Sequence, residues 1–257
     1  MTTVFCLLSA VPAGESAPPG FDASVLILPG VLLIAVLAGL ILFRQWKQHL
    51  LCRDLYRRKY EPRMGNVFET DPVSRTLYHC AADAFCLGRR RLCLMLFKAL
   101  ASRCAAEQER FAAAFFSGQC YLALEQYDRA LEQLLRALTI RRDSDAAAYA
   151  GSCCEKLNRA EDALRYYRAA VSMDPDHPDA NIRLARSCTE SGDYAQGMVH
   201  ASHALSAQPE HPQVLGDMAI CCHMLGRQEE FEQHLHRAVA AGEDKASILA
   251  RIPSEEA

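Results

Sequence analysis

The residues of this chain that could do the most chemistry are its twelve cysteines. Thiols can form disulfides, bind zinc or carry redox reactions, but no Cys-x-x-Cys pair occurs here. Most of them instead recur in register, in the sets Cys154, Cys188, Cys222 and Cys120, Cys153, Cys221. Small, weakly polar thiols pack well where helices approach each other. We therefore interpret them as free structural thiols, with a thiol-based redox protein or enzyme as the least favoured alternative.

Two further groups could bind a metal ion. His200 and His203 are three residues apart and could share one face of a helix. The run from Asp174 to Asp179 alternates carboxylates with Pro and His, but it lacks the glycine and distal glutamate of a calcium-binding loop. It is more typical of a turn in which one Pro ends a helix and the next Pro opens another. Common nucleotide-binding, hydrolase and metalloprotease motifs are also absent from the sequence. We predict no catalytic residue, no metal site and no cofactor.

The elements that would position these residues repeat with a period of about 34. Ala137, Ala170, Ala204 and Ala238 recur at nearly equal intervals, each followed by Leu or Val. Two further sets of residues recur at the same spacing. One set is Gly118, Gly151, Ala185 and Ala219, and the other is Ala130, Ala163, Gly197 and Phe231. In a charged, Ala-rich stretch, this period predicts a stacked array of helical hairpins, an architecture that serves chiefly as a binding surface.

The repeat resembles the tetratricopeptide repeat. In the second unit Gly151, Ala163 and Ala170 match the small positions of that family, Tyr167 matches its large apolar position, and Pro175 its terminating proline. The resemblance implies an all-α helical-hairpin solenoid. Its four clear repeats would cover about 111–143, 144–177, 178–211 and 212–245, and residues 73–110 would be a degenerate first repeat or helical padding.

The last unit departs from the family pattern. Phe231 stands where the family has a small residue, so we expect the two helices of this unit to splay apart. Residues 246–257 are short and interrupted by Pro253, and we expect them to form a tail that leaves the array uncapped. An exposed end of this kind could pair with a second copy of the chain.

The amino-terminal part of the sequence predicts a membrane anchor. Residues 23–43 carry no charge, and 21 helical residues at about 1.5 Å each span a bilayer core. A buried core helix is the alternative, although such helices rarely lack a polar face for so long. Residues 1–22 would be a short tail outside the cytoplasm, and cleavage of residues 1–17 as a signal peptide is a weaker possibility.

The charges beside this segment predict its orientation. Residues 1–43 contain no Lys or Arg, whereas residues 44–63 contain seven, within a basic juxtamembrane helix or linker at 44–72. The positive-inside rule then places the repeats in the cytoplasm and the amino terminus outside, and the inverted topology remains the alternative. The basic side chains would also lie near anionic lipid headgroups.

The resemblance also implies where a partner would bind. In the family, the first helix of each hairpin lines a groove that binds a peptide or helix of another protein. By the family's phase, the groove residues would be Phe115, Gln119, Leu122, Asp145, Ser152, Glu155, Lys156, Ile182, Arg186, Thr189, Glu190, Ile220, His223 and Met224.

Function follows from this surface and the anchor. We predict a single-pass, membrane-anchored scaffold or adaptor that binds a partner protein and is not an enzyme. The alternative is an assembly or biogenesis factor for a membrane complex, acting partly through its transmembrane helix. A net charge of −3 and 8% aromatic residues argue against nucleic acid as the partner.

Overall fold

The computed structural model describes residues 36–40, 43–44, 47, 71–104 and 106–253. The chain divides into two units, residues 1–51 and 52–257. The predicted transmembrane segment at 23–43 and the basic segment at 44–72 lie mostly outside the described residues, although residues 36–40 are helical. Among the described residues, no helix combines the length and the apolar character needed to cross a bilayer.

Within the described part of the second unit, residues 71–253 without 105, all regular structure is helical. The helices are α1 (Pro72–Cys86), α2 (Arg90–Ala101), α3 (Glu107–Ala123), α4 (Tyr127–Ile140), α5 (Ser144–Lys156), α6 (Ala160–Met173), α7 (Pro178–Ser191), α8 (Tyr194–Ala207), α9 (Pro212–Met224), α10 (Gln228–Ala240) and α11 (Lys245–Ala250). Consecutive helices pack against each other in pairs, and each pair packs against the next. The predicted all-α array of helical hairpins is therefore confirmed.

Side-chain caps fix where several helices begin. Asp71 accepts hydrogen bonds from the backbone of Val73 and Ser74 at the start of α1. The hydrogen bonds to this carboxylate, the Ser74 hydroxyl first among them, lower the pKa of Asp71 to about 2. Further along, His177 and His211 cap α7 and α9 through a ring nitrogen, and each precedes a proline. A first-turn proline is compatible with these starts because its missing N–H would be unpaired there in any case.

Residues at the small positions of the repeat let the two helices of a hairpin approach. A β-carbon added at Gly118 would lie 2.7 Å from the Leu134 side chain, and one at Gly151 would lie 2.7 Å from the Tyr167 ring. Both distances are shorter than ordinary van der Waals contact. Leu134 and Tyr167 are buried and fill the space that the glycines leave.

The cysteines of the described region behave as packing residues. All ten of them are free, and six are buried between helices. Burial raises the pKa of the Cys153 thiol to about 12 and that of the Cys222 thiol to about 11, which keeps both protonated at neutral pH. The interpretation of these residues as structural thiols fits this environment.

Residues 72–101 form a hairpin of α1 and α2 that packs on α3. Cys93 fills the small-residue position of this unit and is buried, with its sulfur 3.1 Å from that of Cys120 in α3. The structure thus gives this stretch the architecture of the other units, and its status as a true repeat stays a prediction.

The end of the array differs from the expectation in two respects. Phe231 is buried with its ring 4.9 Å from that of His223, and α9 and α10 pack as extensively as α5 and α6, so the expected splaying does not occur. The expectation of an uncapped end is also wrong. Residues 245–250 form α11, whose Ile248 is fully buried against α9 and α10.

The position of α11 in the repeat register explains why this helix covers the end of the array. Ile248 continues, one repeat further along the chain, a line of buried first-helix residues that contains Ala113, Ala146, Ala180 and Val214. The segment therefore occupies the place that the first helix of a further hairpin would take. The proposed pairing of a second copy through an uncapped end loses its structural basis.

Candidate functional site

The first helices of successive hairpins, α3, α5, α7 and α9, form what we call the first-helix surface. It contains a pocket of about 310 Å³, the first-helix pocket, between α5, α7 and the start of α9. Its lining residues are Asp145, Ala148, Tyr149, Ser152, His177, Asp179, Ile182, Arg183, His211 and Gln213. This volume lies at the lower end of the range of about 300–1,000 Å³ for ligand pockets, so it suits one or two side chains of a larger partner.

The floor of the first-helix pocket is a buried pair of His177 and Asp145. His177 Nε2 lies 3.0 Å from Asp145 Oδ1, and both side chains are largely shielded from solvent. His177 Nδ1 accepts a hydrogen bond from the backbone N–H of Ala180. Since Nδ1 accepts a hydrogen bond, Nε2 carries the proton and donates a hydrogen bond to Asp145 Oδ1. This bond ties α5 to the start of α7 and orients the carboxylate at the bottom of the pocket.

The buried side-chain amide of Asn181 holds the turn behind the pocket. The Asn181 side chain donates to the carbonyls of Pro175 and His177, and its Oδ1 lies 2.9 Å from His200 Nδ1. The run from Asp174 to Asp179 is thus an inter-repeat turn, as predicted. His200 and His203 have different hydrogen-bond partners, since His203 Nδ1 lies 2.8 Å from Asp176 Oδ1.

The rim of the first-helix pocket is mixed in chemistry. Ile182 and Tyr149 supply partly exposed apolar surface, while Asp179 and Arg183 on α7 bear opposite charges. Arg183 also reaches Glu155 on α5 at 3.6 Å, and its side chain is half exposed. Behind the rim, the Tyr167 hydroxyl lies 3.2 Å from that of Ser152, and burial raises the pKa of Tyr167.

The fourteen predicted groove residues fall into three groups. Asp145, Ser152 and Ile182 line the first-helix pocket. Phe115, Gln119, Thr189 and Ile220 are buried, Phe115 at 2% and Ile220 at 1% exposure, so they support the surface from beneath. The others, Leu122, Glu155, Lys156, Arg186, Glu190, His223 and Met224, are partly or fully exposed at other places along these helices.

The family's phase placed these residues on first helices, three of which line the first-helix pocket, but not every side chain reaches that pocket. Phe115 illustrates the reason, because its ring packs between the rings of Phe111, Phe116 and Tyr149 instead of facing outward. The groove prediction missed His177 and His211, which lie just before their helices. A signal for them was present, since they occupy the same position of consecutive repeats and each precedes a proline.

The far end of the first-helix surface is covered by the segment that follows α10. Arg251 donates to Asp217 on α9 at 2.6 Å and to Glu243 at 2.9 Å. The Glu243 carboxylate and the Arg251 guanidinium lie directly over Gly216, where a β-carbon would collide with the Glu243 carboxylate. Desolvation raises the pKa of the buried Asp217 carboxyl, and the guanidinium opposes that shift. The segment after α10 therefore covers Gly216 and Asp217 of α9.

Paired helices that keep one repeat register, with small residues between them and a pocket across successive first helices, define a helical-repeat protein. Models of the tetratricopeptide repeat match residues 112–144, 156–199 and 189–252. The chain is thus a tetratricopeptide-repeat protein over these residues.

Comparison with curated proteins gives distant relatives. The chain is 26% identical over 133 residues to tetratricopeptide repeat protein 8 of Caenorhabditis elegans, covering 51% of this chain and 24% of that protein. It is 28% identical over 97 residues to the photosystem I assembly protein Ycf3 of Synechococcus elongatus, covering 36% of this chain and 56% of that protein. The matches therefore span about a quarter to just over half of these relatives.

Solved structures share the fold. A crystal structure of MamA aligns with a TM-score of 0.53 at 14% identity, over 65% of this chain and 96% of MamA. The structure of YrrB, titled as a tetratricopeptide-repeat protein with an unusual peptide-binding site, aligns with a TM-score of 0.54 at 16% identity, over 68% of this chain and 89% of YrrB. At these identities the comparisons establish the solenoid fold.

Proposed function

We propose that this protein is a non-enzymatic scaffold that binds a segment of a partner protein on its first-helix surface. The observation that carries the proposal is the first-helix pocket, which three successive first helices build around the buried His177–Asp145 pair. The rim offers apolar contact at Tyr149 and Ile182 and one charge of each sign at Asp179 and Arg183. A peptide or helix with polar and apolar side chains suits such a rim.

The relatives support a scaffold role without fixing the partner. YrrB is titled as a peptide-binding repeat protein, and Ycf3 is named as an assembly protein. One name describes a peptide-binding protein and the other a protein of complex assembly. These names do not identify the partner of this chain, which can be captured directly by crosslinking.

A charge exchange on α7 tests the proposal. Asp179→Lys combined with Arg183→Glu reverses both rim charges and keeps the net charge, and both residues are exposed. Full-length protein with a photo-crosslinking residue at Gln213, exposed on the rim, would be purified from detergent-solubilised cells. We expect the exchange to abolish a crosslinked partner that the wild-type rim captures.

The matched control exchanges an exposed ion pair elsewhere. Asp162→Arg with Arg165→Asp reverses a pair on α6, a second helix outside the first-helix pocket. This variant should capture the same partner as wild type. Equal capture by the α7 variant, with its helicity unchanged by circular dichroism, would contradict binding at the pocket.

We further propose that residues 23–43 anchor the scaffold in a membrane with the repeats on the cytoplasmic side. The uncharged run and the seven basic residues that follow it support this arrangement. Resistance of the full chain to alkaline extraction, lost on deletion of residues 23–43, tests the anchor. Protease protection of the repeats in cytoplasm-out vesicles would show the inverted topology.

The assembly-factor alternative rests on the same apolar segment. If the transmembrane helix itself contacts a membrane complex, replacing residues 23–43 with an unrelated apolar span should abolish complex assembly while keeping the protein in the membrane. Normal assembly with the replaced span would leave the first-helix surface as the functional part.

A further inference from the structure

A second cavity, of about 420 Å³, lies between α2, α3 and α4 and shares no lining residue with the first-helix pocket. We call it the basic cavity. Its charged lining consists of Lys98, Arg110 and Arg136, and its polar lining includes Ser117, Tyr121 and Gln133. The cavity lies between two second helices of successive hairpins, α2 and α4, and the first helix α3.

The charge of the basic cavity is uncompensated. No Asp or Glu lines it, and Lys98, Arg110 and Arg136 take part in none of the ion pairs found between described residues. Eight other arginines of the described region do pair with carboxylates. Three like charges around one concavity raise the local potential, so a bound anion would be stabilised there.

Neighbouring side chains help to define the site. The Lys98 ammonium lies 5.6 Å from the centroid of the Tyr121 ring, a cation–π contact that holds it at the cavity wall. Ser117 and Tyr121 are largely buried. Both lie on the first helix α3, so a helix and not a loop holds their hydroxyl groups. Alanine and isoleucine side chains complete the wall and give it apolar surface.

From this arrangement we infer that the basic cavity binds a phosphate group, either free or as a monoester. Arginine guanidinium groups match phosphate oxygens with two parallel donors, and two arginines are available. A phosphate monoester carries about −1.5 to −2 charges at pH 7, which compensates three cations better than one carboxylate does. The volume exceeds that of phosphate itself and leaves space beside the apolar wall for the group that carries it.

Calorimetric titration of the full-length protein in detergent tests the inference. The probes are inorganic phosphate and O-phosphoserine, with sodium chloride at matched ionic strength as the blank. We expect saturable binding at one site per chain. Arg110→Gln with Arg136→Gln should weaken it by about tenfold or more, because each lost charge-assisted hydrogen bond accounts for roughly that factor. Both residues are exposed, so folding should be retained.

A charge-matched control and a chemical readout complete the test. Arg165→Gln with Arg168→Gln removes two exposed arginines of α6, outside the cavity, and should leave binding unchanged. Tighter binding of phosphoserine than of phosphate would identify a monoester ligand, and equal binding would identify free phosphate. Phosphate should also protect Arg110 and Arg136 from phenylglyoxal. Absence of saturable binding, or equal weakening by both double variants, would overturn the inference.

Discussion

At the scale of single residues, a few close contacts set the geometry of the array. Gly151 admits the Tyr167 ring, Asn181 holds the inter-repeat turn, and the His177–Asp145 pair forms the floor of the first-helix pocket. The sequence predicted the first of these, because small and large residues recur at fixed positions of the repeat. It did not predict the other two, because Asn181 has no counterpart in the neighbouring repeats, and the recurrence of His177 as His211 does not by itself indicate a bond to Asp145.

The Gly151 contact predicts a large effect for a small change. Gly151→Ala would push a methyl group into the Tyr167 ring, so it should destabilise the protein by about 1–3 kcal/mol despite the helix propensity of alanine. Urea unfolding monitored by circular dichroism would measure the difference. The same change should cost less in a Tyr167→Ala background, since no ring is then left to overlap the added methyl group. Equal destabilisation with and without the second change would argue against this contact as the cause.

His200 predicts how stability depends on pH. Burial, aided by the charges of His203 and Arg168, lowers the pKa of His200 below its ordinary value of 6.5. The folded state then binds fewer protons than the unfolded state below that pH, so stability should fall as pH falls from 7 to 5. His200→Asn, which can still donate to Asn181, should reduce that pH dependence of the urea midpoint. His236→Asn, which changes an exposed histidine of α10, should leave it nearly unchanged.

At the scale of elements, one turn position recurs in each hairpin. Glu125, Asn158, Gly192 and Gly226 all have positive φ, between 57° and 82°, and occupy equivalent positions of successive repeats. Glycine adopts this conformation without strain, asparagine tolerates it, and glutamate does so at a cost. The turn conformation therefore follows from the glycines in the last two repeats, whereas helix packing imposes it on Glu125 in the first repeat.

Glu125→Gly should therefore stabilise the protein. The left-handed conformation costs a non-glycine residue roughly 1–2 kcal/mol, and the greater flexibility of glycine in the unfolded chain cancels part of the gain. We expect a net increase of about 0.5–1 kcal/mol in the free energy of unfolding, measured by urea titration. Asn158→Gly should give a smaller increase. A loss of stability in Glu125→Gly would show that the Glu125 side chain makes a compensating contribution.

At the scale of the whole molecule, the sequence predicted the array well and its boundaries poorly. The repeat register predicted the hairpins between residues 111 and 245, because several positions recur together. It failed at α11, where only Ile248 continues the buried line and six helical residues are too few for a recognisable pattern. Exposure along the first helices also escaped prediction, since the cluster around Phe115 depends on contacts between units.

The cap predicts a change in stability confined to one end. Arg251→Ala would leave the Asp217 carboxylate, 1% exposed, without its guanidinium, and should cost about 2–3 kcal/mol because breaking a buried pair is costly. Amide hydrogen exchange should become faster in α9–α11 and stay unchanged in α3–α6, since repeats contact only their neighbours.

Two variants separate this effect from general charge loss. Arg227→Ala removes an exposed ion pair with Glu230 and should change little. Asp217→Asn added to Arg251→Ala should restore part of the stability by removing the unpaired charge. Uniformly faster exchange along the whole array after Arg251→Ala would contradict a locally acting cap.

The same ion pairs also determine how the array would respond to mechanical tension. A force applied at the carboxyl end reaches Arg251 and its two carboxylates before it reaches any hairpin. Rupture there would release α11 and lengthen the chain by only about 30 Å, whereas each hairpin that followed would add roughly 110 Å. In an optical trap, the first and shortest step should be the detachment of α11, and Arg251→Ala should remove it from the record.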